Sequence, residues 1–492
     1  ISTILSLWKY GSFWGWPLDV TDSFLTVTFF ALLSVVIINS IQQSSQLFQL
    51  LFLLLISGAV AGLFALLQLY NVFLLPFSFA KAATFNTIGA TNSVAILAAV
   101  LLPLALVLAA AAKPLLRWFL WSMVVLFVFI LAAINFFDAW VALVVGLLIL
   151  LAFGMWNLRK RTEFGWISFP MAFIIVALFF TMFRVSLPGA PTAPVEVSPS
   201  VQGEWQIAKQ VLKESPALGS GPGTFVFNYA KYHPQSLNQT VFWGTRFSSG
   251  ASEVLGWLST KGALGLLAFV LLAGSALFLG VKTLLRSSED SFSWMMGLGL
   301  LASFGGIVTA FVLYPSNFVL SFVFWVLLGG LGVFIGERVK KVQVASQSFV
   351  ALGSSFAFLL VLIFGLGLLF VGGQKYAAEV RYLSGVQKSQ QGDMEGATRD
   401  VASAASLNPS VDLYWRDLSQ LYLSVVNRVS QDASLSQDEK QKQTQAAIQG
   451  AVNAAQRSAA VSPANIANWN VQGFVYRSII GVPGADTLAL AA

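Results

Sequence analysis

"SVAILAAVLLPLALVLAAAA", residues 93–112, is a run of twenty residues without a charge, and it decides the fold class. An α-helix needs about 20 apolar residues to cross the hydrocarbon core of a bilayer. The run does not alternate apolar and polar residues, as the strands of a membrane barrel do. We therefore interpret it as a transmembrane helix.

Further apolar stretches of similar length lie on both sides of it, near residues 22–42, 47–70, 116–136, 139–156, 166–184, 262–282, 292–313, 315–336 and 347–372. The 492-residue chain is 57% hydrophobic and 10% charged, with a mean hydropathy of +0.76. Soluble domains carry about 25% charged residues. The sequence thus predicts an all-α, polytopic membrane helix bundle of about ten spans over residues 1–372.

Basic residues gather in every second loop between these spans, which places them all on the same side. They are Lys113 and Arg117, Arg159 to Arg161, Lys282 and Arg286, and Arg338 with Lys340 and Lys341. Short basic loops stay cytoplasmic, so the long loop 185–261 is predicted to face outward, as is the tail 373–492. The tail holds ten basic and ten acidic residues, so the net charge of +7 belongs to the membrane part. We interpret it as a topology signal rather than as nucleic-acid binding.

The residue inventory excludes several kinds of site. The chain has no cysteine, which excludes disulfides, thiol catalysis and thiolate metal sites. His233 is the single histidine, so a metal cluster of several histidines within one chain is excluded too. The sequence begins with Ile1 and shows no signal peptide, so we expect the natural N-terminus, with or without further helices, to lie upstream.

The tail repeats a motif in which a proline precedes a tryptophan by six residues. Small residues before the first proline complete a resemblance to the tetratricopeptide repeat. The matching positions are Pro409, Trp415, Pro463, Trp469, Gly473 and Tyr476, with Ala397 and Ala404 at packing positions. We place the length beyond one ideal repeat in residues 429–443. The tail is either a surface that binds a protein partner or a solvated helical cap.

Several polar residues are predicted at the outward ends of the spans, where charge is costly and points to function. Glu253, Trp257 and Lys261 are spaced i, i+4, i+8 and share one helix face. With them, a basic vestibule edged by two carboxylates would be formed by Asp138, Arg184, Lys231, His233, Asn238 and Arg246. Simpler roles stay open: Arg184 and Lys261 can snorkel to the interface, and Asp138 or Glu253 can complement a helix N-terminus.

Three segments resemble those of the O-antigen ligase and polymerase superfamily, which includes bacterial O-oligosaccharyltransferases. They are "TFNTIGATNSVAILAAVLLPL" (84–104), "LGSGPGTF" (218–225) and "ASEVLGWLSTKGALGLLAF" (251–269). The resemblance implies a multi-pass protein of the bacterial inner membrane. It also implies a glycosyltransferase without nucleotide, metal or other cofactor.

The implied reaction moves a glycan from a polyprenyl diphosphate to an acceptor hydroxyl of a lipid, a protein or a growing glycan. The predicted catalytic residues are Asp138, Arg246 and Glu253. Substrate binding is assigned to Asn92, Arg184, Gly221, Gly223, Lys231, His233, Asn238 and Lys261. The bend at Gly221 and Pro222 is expected to bring the backbone close to the substrate, and the cations are expected to neutralise the departing diphosphate.

The chain departs from the family pattern at two positions. The family's His-Asn pair is replaced by Ser252-Glu253, and its Ser-Arg pair by Phe137-Asp138. Either Glu253 and Arg246 have taken over these tasks, or the chain is not an active transferase. A transporter or flippase of lipid-linked glycans and a non-catalytic scaffold remain alternatives, and the sequence leaves the acceptor undetermined.

Overall fold

The computed structural model describes residues 1–15, 20–158, 168–183, 195–286, 291–336 and 349–480. Within these ranges the chain forms α-helices, short 3₁₀ turns and loops, and no β-strand. It divides into two compact units, Ile1–Val339 and Lys340–Ala492. The prediction of an all-α protein is confirmed.

After a short helix α1 (Lys9–Trp14), each predicted apolar stretch forms a helix. These are α2 (Phe24–Ser40), α3 (Ser44–Leu69), α4 (Thr91–Ala111), α5 (Pro114–Ile134), α6 (Phe137–Leu158), α7 (Ser168–Phe183), α11 (Gly262–Arg286), α12 (Ser291–Leu313), α13 (Phe318–Ile335) and α14 (Phe349–Gln390). Eight of them are long and apolar enough to cross a membrane. Helices α2 and α7, with 17 and 16 residues, are shorter.

Helix α4 is the centre of the first unit, and nearly all of its side chains are buried between α3, α5, α6 and α12. A Cβ atom on Gly146 of α6 would lie 2.9 Å from the Pro103 ring and 3.1 Å from the Ala302 carbonyl. Helices α4, α6 and α12 therefore approach one another more closely than a larger residue would allow. This packing holds the first turns of α4 and α6 beside the last turn of α12.

The described part of the predicted outward loop is itself helical. It contains α8 (Val201–Glu214), α9 (Phe225–Tyr232), a 3₁₀ turn (Gln235–Gln239) and α10 (Glu253–Thr260). Ser200 caps α8 by accepting a hydrogen bond from the Gly203 amide at 3.1 Å. Helix α8 buries Ile207 and Val211 against Phe225 and Tyr229 of α9, so the segment has a small hydrophobic core of its own.

The described part of the second unit begins with α14, which runs through Gly372 and Gly373 without a break. The domain boundary predicted between these glycines therefore falls inside a helix. Four further helices follow: α15 (Met394–Leu407), α16 (Asp412–Gln431), α17 (Gln437–Val461) and α18 (Ile466–Ile479). The extra length predicted in residues 429–443 forms the ends of α16 and α17 and the turn that joins them.

The two Pro-Trp motifs adopt the same local structure. The Trp415 indole donates a hydrogen bond to the Pro409 carbonyl at 2.9 Å, and the Trp469 indole donates one to the Pro463 carbonyl at 2.8 Å. The helix that precedes each proline ends with nearly the same backbone angles, φ −138° and −137° with ψ 76° and 80°. Ala397 and Ala404 are completely buried, as predicted for packing positions.

Candidate functional site

A cavity of about 750 Å³ opens where the first turns of α4, α6 and α10 meet the end of α12. Its polar lining combines carboxylates, hydroxyls and an amide: Asn92, Asp138, Glu196, Ser198, Ser200, Ser252 and Tyr314. Lys113 lies just past the far end of α4, about 30 Å from Asn92 along that 21-residue helix. The cavity is therefore at the opposite end of the spans from this basic loop.

Tyr314 and Glu196 form the centre of the lining. The Tyr314 hydroxyl lies 2.7 Å from both carboxylate oxygens of Glu196, to which it donates, and 3.4 Å from the Ser93 hydroxyl. The Tyr314 ring packs edge-on against Phe136 at 5.4 Å. Burial, reinforced by the nearby Glu196 carboxylate, raises the pKa of the Tyr314 phenol far above its usual range. Tyr314 therefore remains a neutral hydrogen-bond donor.

Asp138 lies in the first turn of α6, half-buried, with its side chain on the cavity wall. The turn before it is fixed by Asn135, which adopts φ 48° and accepts a 2.9 Å hydrogen bond from the Trp140 indole. Among the described residues, Asp138 has no hydrogen bond or ion pair. Of the predicted catalytic residues, Asp138 alone lines this cavity.

Glu204 does not line the cavity but binds two residues that do, Ala251 and Ser252. One of its carboxylate oxygens accepts hydrogen bonds from the Ala251 and Ser252 amides at 2.8 and 3.0 Å. The other oxygen is buried and has no partner among the described atoms. Burial raises the pKa of Glu204 to about 7, against the lowering effect of the two amides. The Glu204 carboxyl thus fixes the loop from which α10 starts.

Glu253 lines a second cavity, of about 270 Å³, on the other side of α10. Trp257 and Lys261 line it too, as the predicted shared helix face requires. The Glu253 carboxylate accepts a 2.8 Å hydrogen bond from the Ser316 amide, so it ties α10 to the turn between α12 and α13. Glu253 does not line the larger cavity, so the structure gives no support there to its predicted catalytic role.

The Lys261 ammonium group forms an ion pair with Asp22, and both side chains are largely buried, with 17% and 11% of their surface exposed. The same ammonium lies 4.0 Å from the centre of the Trp257 ring. Its charge is therefore already compensated by protein. Asp22 was not predicted, because 239 residues separate it from Lys261.

The other predicted cations do not converge on the larger cavity. Lys231 forms an exposed ion pair with Glu214 at 2.9 Å. Arg246 is exposed, and within the described part of the chain it makes no hydrogen bond or ion pair. Arg184 lies outside the described residues. Among the described lining residues there are two carboxylates and no lysine or arginine, so the predicted basic vestibule is replaced by an acidic cavity.

His233 and Asn238, both predicted to bind substrate, contact each other instead. The His233 Nε2 atom lies 2.9 Å from the Asn238 side-chain oxygen, and Nδ1 lies 3.0 Å from the Tyr229 carbonyl. The His233 ring also stacks on Tyr229 at 5.4 Å. These contacts close the turn after α9, which explains the conformation of both residues without a substrate.

The glycine-rich stretch, which was predicted to approach the substrate, contacts protein on both sides. The Gly221 amide donates to the Thr260 carbonyl at 2.7 Å, and a Cβ atom on Gly221 would lie 2.0 Å from the Ser6 hydroxyl. Gly223 is buried beside Pro222, whose carbonyl accepts a 2.6 Å hydrogen bond from Ser12. The bend therefore joins α10 to the N-terminal segment.

Neither a protein-family model nor a curated protein matches the sequence. The assignment of function thus depends on the resemblance of the three quoted segments and on the two cavities. Among the described residues, no three histidine, aspartate or glutamate side chains come together as metal ligands.

Sequence reasoning missed Glu196, Glu204, Tyr314 and Asp22. Glu196 and Tyr314 are 118 residues apart, and Glu204 reaches its amide partners across 47 and 48 residues. Contacts of this range leave no spacing signal in one sequence. A weak signal existed for Glu204, since a carboxylate in the first turn of a helix is common, but it predicts a cap rather than a long-range contact.

Proposed function

We propose that this chain is a glycosyltransferase that moves a glycan from a polyprenyl diphosphate to an acceptor hydroxyl at the extracytoplasmic face of a bacterial inner membrane. The observation that supports this most directly is the cavity in which Asp138, Glu196 and Tyr314 converge. Carboxylates, hydroxyls and an amide suit a ligand rich in hydroxyl groups, because each of them can accept or donate a hydrogen bond.

The acceptor hydroxyl is activated by Asp138. In this proposal the hydroxyl proton passes to the Asp138 carboxylate while the hydroxyl oxygen forms a bond to the anomeric carbon of the donor. The bond between that carbon and the diphosphate oxygen breaks, and the diphosphate leaves with the electron pair. Asp138 suits this task because no described residue occupies its carboxylate.

Glu196 orients the substrate rather than taking the proton. Its two oxygens both accept from the Tyr314 hydroxyl, which fixes the plane of the carboxylate and leaves lone pairs directed elsewhere. Holding a sugar hydroxyl in place lowers the entropy that the transition state has to lose. The raised pKa of Tyr314 keeps its hydroxyl available as the donor to Glu196.

The lipid diphosphate is assigned to neither cavity. A diphosphate beside two carboxylates would be repelled, so the larger cavity suits the sugar and not the phosphates. The second cavity is also lined by two carboxylates, Asp22 and Glu253, and its Lys261 ammonium group is paired with Asp22. Its apolar walls from Phe269, Phe311 and Phe324 suit the polyprenyl chain instead. Helix α10 separates the two cavities, with Ser252 and Leu255 facing one and Trp257 the other.

The tail is proposed to hold a protein partner, such as a protein acceptor, on its helical repeats. The equal geometry of the two Pro-Trp motifs supports a repeat architecture, and such repeats commonly form binding surfaces. In the alternative of a non-catalytic scaffold, this part would recruit partners while the membrane part would only anchor it.

The test replaces Asp138 with Asn and measures transfer of a labelled glycan from polyprenyl diphosphate to lipid, protein and glycan acceptors in proteoliposomes. We expect transfer to fall by at least about 100-fold at unchanged expression. The matched control is Glu214→Gln, an exposed carboxylate outside both cavities, which should transfer normally. Normal transfer by Asp138→Asn would remove Asp138 from the reaction, and flux of the lipid-linked glycan without transfer would favour a transporter.

A further inference from the structure

A third cavity, of about 410 Å³, lies between α8, α9 and residues 234–247. It shares the consecutive residues Ser198, Pro199 and Ser200 with the cavity that contains Asp138. The two hollows therefore lie on opposite sides of one short stretch of chain. A ligand longer than one sugar can extend across this stretch from one cavity into the other.

The lining of the third cavity differs from that of the other two, because the described residues that form it include no lysine, arginine, aspartate or glutamate. It presents three aromatic rings, Tyr229, Phe242 and Phe247, and two side-chain amides, Gln202 and Gln206. Its volume falls in the range of about 300–1,000 Å³ that is usual for ligand sites. The chemistry suits an uncharged ligand that has both apolar faces and hydroxyl groups.

The rings are held in place by the core of the α8–α9 segment. Tyr229 is buried against Ile207 and Phe225, and Phe247 packs edge-on to Tyr229 at 5.1 Å. Phe242, by contrast, has 39% of its surface exposed at the cavity rim. Because packing already holds Tyr229 and Phe247 in place, a ligand can contact these flat apolar rings without the entropy cost of ordering them. Phe242 adds one exposed ring at the edge of the cavity.

The amides supply the polar half of the site. Gln202 and Gln206 lie one turn apart on α8, are exposed, and make no hydrogen bond with any described residue. Each amide can donate and accept at once, as a sugar hydroxyl also does. A lipid chain would leave both amides unpaired, whereas a sugar residue can pair them while its ring lies on the aromatic floor.

We propose that this cavity is a subsite for neutral sugar residues of the glycan that lie beyond the one that reacts at Asp138. The inference rests on the proposed function, which it extends by naming the ligand of a second part of the site. It assigns Gln202 and Gln206 to hydroxyl recognition and Phe242 to stacking. It also implies that longer glycans are better substrates than a single sugar.

The test measures binding without catalysis, so that it does not depend on transfer. Two uncharged linear hexasaccharides, of glucose and of N-acetylglucosamine, are titrated against the purified full chain in detergent by saturation-transfer NMR and calorimetry. The variants are Gln202→Ala with Gln206→Ala, and Phe242→Ala. The control is Trp243→Ala, which removes the adjacent ring, 72% exposed and outside the lining.

We expect at least one hexasaccharide to bind, the amide and Phe242 variants each to weaken binding about tenfold, and the Trp243 variant to bind normally. Equal binding by all variants, or no binding of either sugar, would overturn the proposal. Sugar binding that is lost in the variants of a chain with no transfer activity would support the subsite and reject the transferase. Normal transfer, combined with variants that bind sugar as well as the parent protein, would support the transferase and reject the subsite.

Discussion

The Tyr314 hydroxyl lies 2.7 Å from both carboxylate oxygens of Glu196, and this contact joins the end of α12 to the segment that precedes α8. It connects a membrane helix to the α8–α10 segment at the cavity that also contains Asp138. The cavity is thus assembled from parts of the chain that are far apart in sequence, and each contact can be tested separately.

Tyr314→Phe keeps the ring that packs on Phe136 and removes the hydroxyl that holds Glu196. We expect transfer to fall roughly 10- to 100-fold, because Glu196 loses its fixed orientation. The melting temperature should change little, since one hydrogen bond contributes about 1 kcal/mol. Initial rates and thermal unfolding of the purified protein measure both. Tyr70→Phe, at the end of α3, is the control, and an unchanged rate for Tyr314→Phe would show that the contact is only structural.

Arg246→Ala is expected to keep transfer at close to the normal rate. The side chain is exposed and makes no hydrogen bond or ion pair in the described structure, so its loss leaves both cavities intact. Lys231→Ala, which breaks an exposed ion pair, should behave in the same way. Transfer assays on the two variants beside Asp138→Asn decide the point. If Arg246→Ala abolishes transfer at normal expression, the arginine belongs to the catalytic machinery after all.

Glu204→Gln should change the pH dependence of stability. The pKa of Glu204 is raised from 4.5 to about 7, so between these values the folded protein holds a proton that the unfolded chain has lost. The contribution of Glu204 to the free energy of unfolding should therefore fall as pH rises through this window, by roughly 3 kcal/mol, and stay constant outside it. Gln keeps an acceptor for the two amides but cannot ionise.

The measurement is the difference in melting temperature between Glu204→Gln and the parent protein at pH 5, 6, 7 and 8. Taking the difference cancels the other titrating groups. We expect the variant to gain stability relative to the parent as pH rises towards 7. A difference that stays constant across the series would mean that the carboxyl titrates alike in the folded and unfolded chains.

Gly221→Ala tests the glycine-rich bend as a joint within the protein. Gly221 has a φ of 113°, and a Cβ atom would lie 2.0 Å from the Ser6 hydroxyl. The backbone strain and the clash together should destabilise the protein by at least about 2 kcal/mol. Gly244→Ala is the matched control, because no atom of the described residues lies within 4 Å of its added Cβ. Equal melting temperatures for the two variants would contradict this role.

The sequence predicts the helices well and the site poorly, for physical reasons. Apolar runs such as residues 93–112 form helices because a segment in hydrocarbon has to satisfy its own backbone hydrogen bonds. The shared face of Glu253, Trp257 and Lys261 follows from helical spacing alone. Which face meets which cavity, however, depends on packing between helices that are distant in sequence.

The predicted cations show this limit most clearly. Lys261 and Lys231 were assigned to the substrate because each stood in an outward segment, yet each is paired with a carboxylate of the protein. Asp22 and Glu214 carry no pattern that marks them as partners. Composition predicts how much charge a segment carries, whereas only the folded chain determines how much of it remains uncompensated.

Helix α14 has a consequence for the repeats that follow it. It continues for 42 residues, about 63 Å, whereas the hydrocarbon layer is about 30 Å thick. One continuous helix thus contains both a segment of membrane-spanning length and the segment that packs against α15. Adding a single residue in its middle would rotate α15 and the helices after it by about 100° around the helix axis and shift them by about 1.5 Å.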